Sequence, residues 1–82
     1  MSAPMHDSRE RQREEVARNY EAFLAGLPSL MEKHKGRYAV YRHRRLVDIF
    51  DSATLACQFG DHAYDDGHYS VQEINDEPYY TR

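Results

Sequence analysis

The sequence predicts an α+β domain: an N-terminal helix, a short second helix, and then a ββαβ unit whose three-stranded antiparallel sheet has the order 2-1-3. Three observations predict it. Val16, Ala17, Tyr20, Phe23, Leu24 and Leu27 recur with the period of one helix face. Two runs rich in β-formers, 37–43 and 45–50, follow each other almost without a gap. A stretch with Ala53, Ala56 and Gly60 at helical spacing then separates them from a third, partly alternating run over 68–74.

The elements follow in order. Asp7 and Glu10 are spaced as a capping box, with Ser8 as a second cap, and the apolar stripe then predicts a helix over 8–26. Arg11, Glu14, Glu15, Arg18 and Glu21 line its opposite side, so its first turns project beyond the core. Pro28 disfavours helix at Leu27 and suits the first turn of a new one, which predicts a break and a short helix over 28–34, stopped by Gly36. With His43-Arg44 as the hairpin turn, the expected pairs are 42:45, 41:46, 40:47, 39:48 and 38:49. One sheet face then holds Tyr38, Val40, Val47 and Ile49, and the other Ala39, Tyr41, Leu46 and Phe50. Both faces are apolar, so both need cover. Asp51 or Ser52 caps the next helix, and Asp65-Asp66-Gly67 turns the chain into the last strand. The connection from the second strand to the third crosses the first, which gives the 2-1-3 order. The expected core is Val16, Tyr20, Phe23, Leu24, Val40, Val47, Ile49, Ala56 and Val71.

Eighty-two residues fit one domain, read as 8–75 between a disordered N-terminus (1–7) and a polar tail (76–82). The net charge of -3 argues against a polybasic nucleic-acid binder. No apolar run approaches the ~20 residues of a membrane span. No basic start leads into an apolar stretch that would read as a secretory signal. The single Cys57 leaves no intramolecular disulfide, and a cytoplasmic setting is the expectation. The charge is unevenly spread. Residues 33–45 carry six bases and no acid, whereas 46–82 carry eight acids and one base. The two segments either neutralise each other or present surfaces of opposite sign.

Four stretches, Leu27–Leu30, His34–Tyr41, Leu46–Ala53 and Tyr69–Ile74, together with Phe59-Gly60, resemble a family of small bacterial domains of unknown function. In that family a leading helix precedes a ββαβ unit. The resemblance covers about residues 20–75 and implies the fold. It implies no activity, and no catalytic residues carry over. One departure stands out: such hairpins usually turn on Asp-Gly or a similar pair, and here the turn is His43-Arg44.

The residues offer little catalytic chemistry. Asp61, His62, Asp65, Asp66 and His68 are the densest polar cluster, but no metal-binding spacing is present. Cys57 lies in an Ala-rich helix and reads as a small hydrophobe. The glycines at 26, 36, 60 and 67 form no phosphate loop. No catalytic residue, metal or cofactor is therefore expected. The expected role is a non-enzymatic binding or regulatory module acting through a protein partner. Its candidate contact residues are Tyr41, Arg42, His43, Arg44, Arg45, Tyr79 and Tyr80, because tyrosine and arginine serve interfaces well. The alternative is a nucleic-acid-associated module using Lys33, Lys35, Arg37 and the 42–45 tip. A monomer is expected, with a homodimer as the other outcome, and no membrane association.

Overall fold

The computed structural model describes residues 7–76. The expected N-terminal and C-terminal segments, Tyr79 and Tyr80 among them, therefore lie almost wholly outside the described residues. Five elements follow in order: α1 (Asp7–His34), β1 (Tyr38–Arg42), β2 (Arg45–Phe50), α2 (Ala53–Ala63) and β3 (Ser70–Glu73). The sheet is antiparallel throughout, with the predicted order β2-β1-β3. Among the described residues no helix is long and apolar enough to cross a membrane.

The expected short second helix does not exist as a separate element, because α1 runs unbroken through Pro28. A proline inside a helix costs about 3 kcal/mol in a lost hydrogen bond and crowding of the preceding turn. Continuity is favoured by packing on both sides of the proline. Phe23 and Leu30 are buried, and Leu27 and Met31 pack half-buried beside them on the same core. Burying one large aliphatic side chain contributes about 1.5–3 kcal/mol, so this face outweighs the single proline. Gly36 at φ 89° ends the run, and its N–H donates to the Ile74 carbonyl at 2.8 Å, which ties the helix exit to the end of β3.

The hairpin register holds near the turn and then slips. Arg42 pairs with Arg45 and Tyr41 with Leu46, as predicted. A bulge follows, so that Val40 faces Asp48, Ala39 faces Ile49 and Tyr38 faces Phe50. One extra residue moves every later side chain to the other face. Ile49 therefore joins Ala39, Tyr41, Phe23, Leu30 and Ile74 under α1. Phe50 joins Val40, Ala56, Tyr69 and Val71 under α2. Both apolar faces are thus covered within the chain along β1 and β3, while Leu46 and Val47 of β2 stay exposed, and the assignment of Ile49 and Phe50 is the reverse of the expected one. Of the expected core, Phe23, Val40, Ala56 and Val71 are fully buried. Val16, Tyr20 and Ile49 are half-buried. Leu24 and Val47 are exposed: Leu24 lies about 100° around the helix from Phe23, and Val47 sits in the bulge.

The two sheet edges differ. Arg45 to Asp48 of β2 are exposed, whereas Ser70, Val71 and Gln72 of β3 have no exposed surface. Gln72 is the anomaly of this edge. Among the described residues neither Oε1 nor Nε2 has a hydrogen-bond partner. An unmade buried hydrogen bond costs about 1–3 kcal/mol. Gln72→Met, of similar length and without the amide, is expected to raise the melting temperature by about 4–8 °C. A lowered melting temperature would show that the amide is satisfied in solution.

Beneath the other face, Ser52 caps α2 by accepting from the Leu55 N–H at 3.1 Å, as the sequence suggested. Gly60 lets α2 approach Tyr69 so closely that a Cβ there would fall within the Tyr69 ring. The Tyr69 hydroxyl donates to Asp61 Oδ1 at 2.6 Å and also lies 3.2 Å from the Cys57 carbonyl. Phe50, Phe59, Tyr64 and Tyr69 form a chain of rings with centroids 5.2–6.2 Å apart.

Candidate functional site: the arginine-tipped hairpin

His43 and Arg44 form a two-residue turn with φ 53° and 66°. Both lie in the left-handed region, where an L side chain costs roughly 1–2 kcal/mol. Asn or Gly would turn this hairpin more cheaply. The turn is held from behind by α1. Asn19, fully buried, accepts from the Arg44 N–H at 2.7 Å. Its amide nitrogen reaches Ser70 Oγ at 3.0 Å and the Tyr41 carbonyl at 3.4 Å. Glu15 Oε2 accepts from the His43 N–H at 2.8 Å, and Oε1 lies 3.3 Å from His43 Nδ1. Burial pushes the Glu15 pKa up. The His43 N–H, the Asn19 amide and the His43 ring outweigh that, so the carboxyl sits below its ordinary value.

Arg42 is not part of a free tip. Its guanidinium forks onto Asp66 at 2.9 and 3.1 Å and donates to the His68 carbonyl at 3.0 Å. It also stacks over Tyr64, 4.2 Å from the ring centroid. Asp66 accepts the His68 N–H at 2.9 Å as well. The Arg42 fork, followed by the His68 N–H, holds the Asp66 carboxyl well below the usual carboxylate range. A carboxyl depressed in the folded state adds stability above its unfolded pKa of about 3.9, and loses it as pH falls toward the folded value. The pair is partly in water, so its contribution at neutral pH is at most about 1 kcal/mol. Asp66→Asn is accordingly expected to lower stability at pH 7 by up to about that amount and by clearly less near pH 2, where the unfolded carboxyl is already protonated. Urea melts at the two pH values check this, and equal losses at both would discard the ion-pair account.

The sequence-predicted contact residues therefore separate. Tyr41 is a core ring, 5 % exposed, edge-on to Phe23 at 6.0 Å, and does not reach a surface. Burial raises its pKa. Its place on the α1 face follows from strand alternation, and that face is covered. Arg42 is half-buried and engaged. His43, Arg44 and Arg45 are exposed. No ion pair of Arg44 or Arg45 occurs among the described residues, whereas Lys35 pairs with Asp76 and Arg37 with Asp51. With Arg42–Asp66, these contacts link the basic segment to the acidic C-terminal half, so much of that charge is neutralised within the chain.

Beside the tip lies a groove of about 260 Å³, lined by Arg11, Glu14, Glu15 and Arg18 of α1, His43 and Arg44 of the turn, and His68. Sequence reasoning missed the α1 contribution. The signal was Asn19, a polar residue on the same stripe as Val16, Tyr20 and Phe23, and so pointed at the sheet. Two members of the Asp61–His68 cluster serve structure: Asp61 holds Tyr69 and Asp66 holds Arg42. No group of three or more His, Cys, Asp or Glu among the described residues could hold a metal ion. Comparison with protein-family models, curated proteins and solved structures finds no match for the chain.

Proposed function

We propose that the protein is a small non-enzymatic binding or regulatory module that meets a protein partner with its arginine-tipped hairpin. One observation carries the reading. Two residues with side chains occupy left-handed turn positions, and a buried asparagine and a glutamate on α1 hold them there. Backbone strain kept in place by surrounding structure is a mark of functional sites. The strained residues present Arg44 and, next to it, Arg45 to solvent. A nucleic-acid-associated module is the second reading. The pairing of Lys35, Arg37 and Arg42 with acids of the same chain leaves it fewer phosphate contacts than the run 33–45 suggests. A cytoplasmic setting belongs to the same proposal, supported by the single cysteine. So does a monomer, supported by the cover on both sheet faces. The resemblance to small bacterial domains adds no activity to it.

Arg44→Gly separates stability from binding. Glycine keeps the N–H that Asn19 accepts and relieves the left-handed strain, so the melting temperature is expected to rise by about 4–8 °C. Affinity capture from nuclease-treated host extract with the parent and with Arg44→Gly/Arg45→Ser tests the function. The expected result is a protein retained by the parent and lost by the variant. Retention by both would remove the tip from the contact, and capture that depends on nucleic acid would favour the second reading. Sedimentation of the parent at micromolar concentration tests the monomer.

A further inference from the structure

We propose that residues 77–82 run along the outer edge of β3 as a fourth antiparallel strand and leave β2 as the open edge of the sheet. The burial of an edge carries the inference. No described strand lies outside β3, yet Ser70, Val71 and Gln72 have no exposed surface. α1 and α2 cover the two faces of the sheet and so account for side chains. They do not account for the backbone. Ile74 turns both its polar groups toward β1: its N–H donates to the Arg37 carbonyl at 2.9 Å, and its carbonyl accepts from the Gly36 N–H at 2.8 Å. Backbone direction alternates along a strand, so Gln72 and Ser70 also face β1, whereas Val71 and Glu73 turn N–H and C=O outward. No loop or turn bond among the described residues takes these outward groups. Buried backbone groups are nearly always paired, so Val71 requires a neighbour that offers both a donor and an acceptor. Another strand supplies both.

The chain's own continuation is the occupant. It leaves β3 and bends at Asn75-Asp76, where Asp76 lies 3.5 Å from Lys35, just past the end of α1. Residues 77–82 thus start beside the edge that needs a partner, and Tyr79, Tyr80 and Thr81 are strand-formers. Pro78 fixes the register. It has no N–H, so it suits a position turned away from β3. A two-residue loop would set Pro78 opposite Glu73, whose carbonyl would then lack a donor. A three-residue loop over 75–77 instead pairs Tyr79 with Glu73, Tyr80 with Gln72 and Thr81 with Val71. Thr81 then gives Val71 its two hydrogen bonds. Tyr79 and Tyr80, expected from the sequence as partner contacts, are thereby assigned to the chain's own sheet.

The experiment is NOE spectroscopy and amide hydrogen exchange on the full chain at low and high protein concentration, with Thr81→Pro and Thr81→Val beside the parent. The parent is expected to show an Hα–Hα contact between Gln72 and Tyr80, the mark of a non-hydrogen-bonded antiparallel pair, and a Val71 amide slowed at least about a hundredfold relative to an unfolded chain. Thr81→Pro removes the N–H that faces the Val71 carbonyl and is expected to speed exchange of the Val71 amide by about tenfold. Thr81→Val keeps that N–H and is expected to leave the exchange unchanged. A Val71 amide that exchanges as freely as one on an open edge would overturn the proposal. So would a slow Val71 amide with no contact to residues 77–82, since other groups would then close the edge. Protection that grows with protein concentration would overturn it in favour of a strand from a second copy of the chain.

Discussion

Val40→Asp is expected to cost at least about 4 kcal/mol, close to the whole stability of a domain this size, and to leave the chain largely unfolded at 37 °C. Val40 is the middle residue of the central strand, with no exposed surface, facing Asp48 on one side and Val71 on the other. Its side chain lies under α2 among Ala56, Tyr69 and Val71. An aspartate there would place a second carboxylate directly opposite Asp48, in an apolar layer with no cation to pair it. Circular dichroism melts of the two proteins decide the matter. A variant melting within a few degrees of the parent would mean that β1 is not the central strand.

Gly60→Val is the second large effect, expected at about 3 kcal/mol or more. Glycine inside a helix ordinarily costs stability relative to residues with side chains, so an exposed site would gain from the change. Here the sign reverses, because the added Cβ enters the space of the Tyr69 ring. That ring cannot swing aside cheaply, since it is fully buried and its hydroxyl is bonded to Asp61. Overpacking of this kind typically costs 1–3 kcal/mol or somewhat more. A double-mutant cycle with Tyr69→Leu tests the cause: in that background the valine should cost much less than in the parent. An unchanged penalty would place the strain elsewhere.

How much of this was legible in the sequence depended on the range of each interaction. The hairpin turn with its first two pairs, a cap at Asp51 or Ser52, and the strand order follow from neighbours in sequence and from the crossover rule, and the structure has them, with Ser52 as the cap. The bulge was not legible, since Val47 and Asp48 both suit a strand and nothing local marks the extra residue. That single slip exchanged the faces of Ile49 and Phe50. Pro28 was misread for the opposite reason. Its local signal is strong, but packing of Leu27, Leu30 and Met31 against strands formed later in the chain overrides it. At the site, the basic tip was visible as composition. The clamp behind it was not, because Glu15 and Asn19 are 28 and 25 residues from the turn amides they bind.

That clamp has a consequence for dynamics. Amides in a two-residue surface turn usually exchange with solvent freely, since their hydrogen bonds are local and break singly. The His43 and Arg44 amides are instead bonded to α1, and Asn19 is bonded to Ser70 at the start of β3. Because Asn19 is buried between α1 and the sheet, lifting α1 to release the Arg44 amide would also expose Phe23 and the layer beneath it. The two amides are therefore expected to exchange more slowly than those of an unsupported turn. During folding the same links work in reverse: the left-handed turn gains its main support only once α1 has docked, so hairpin and helix are expected to form as one cooperative unit.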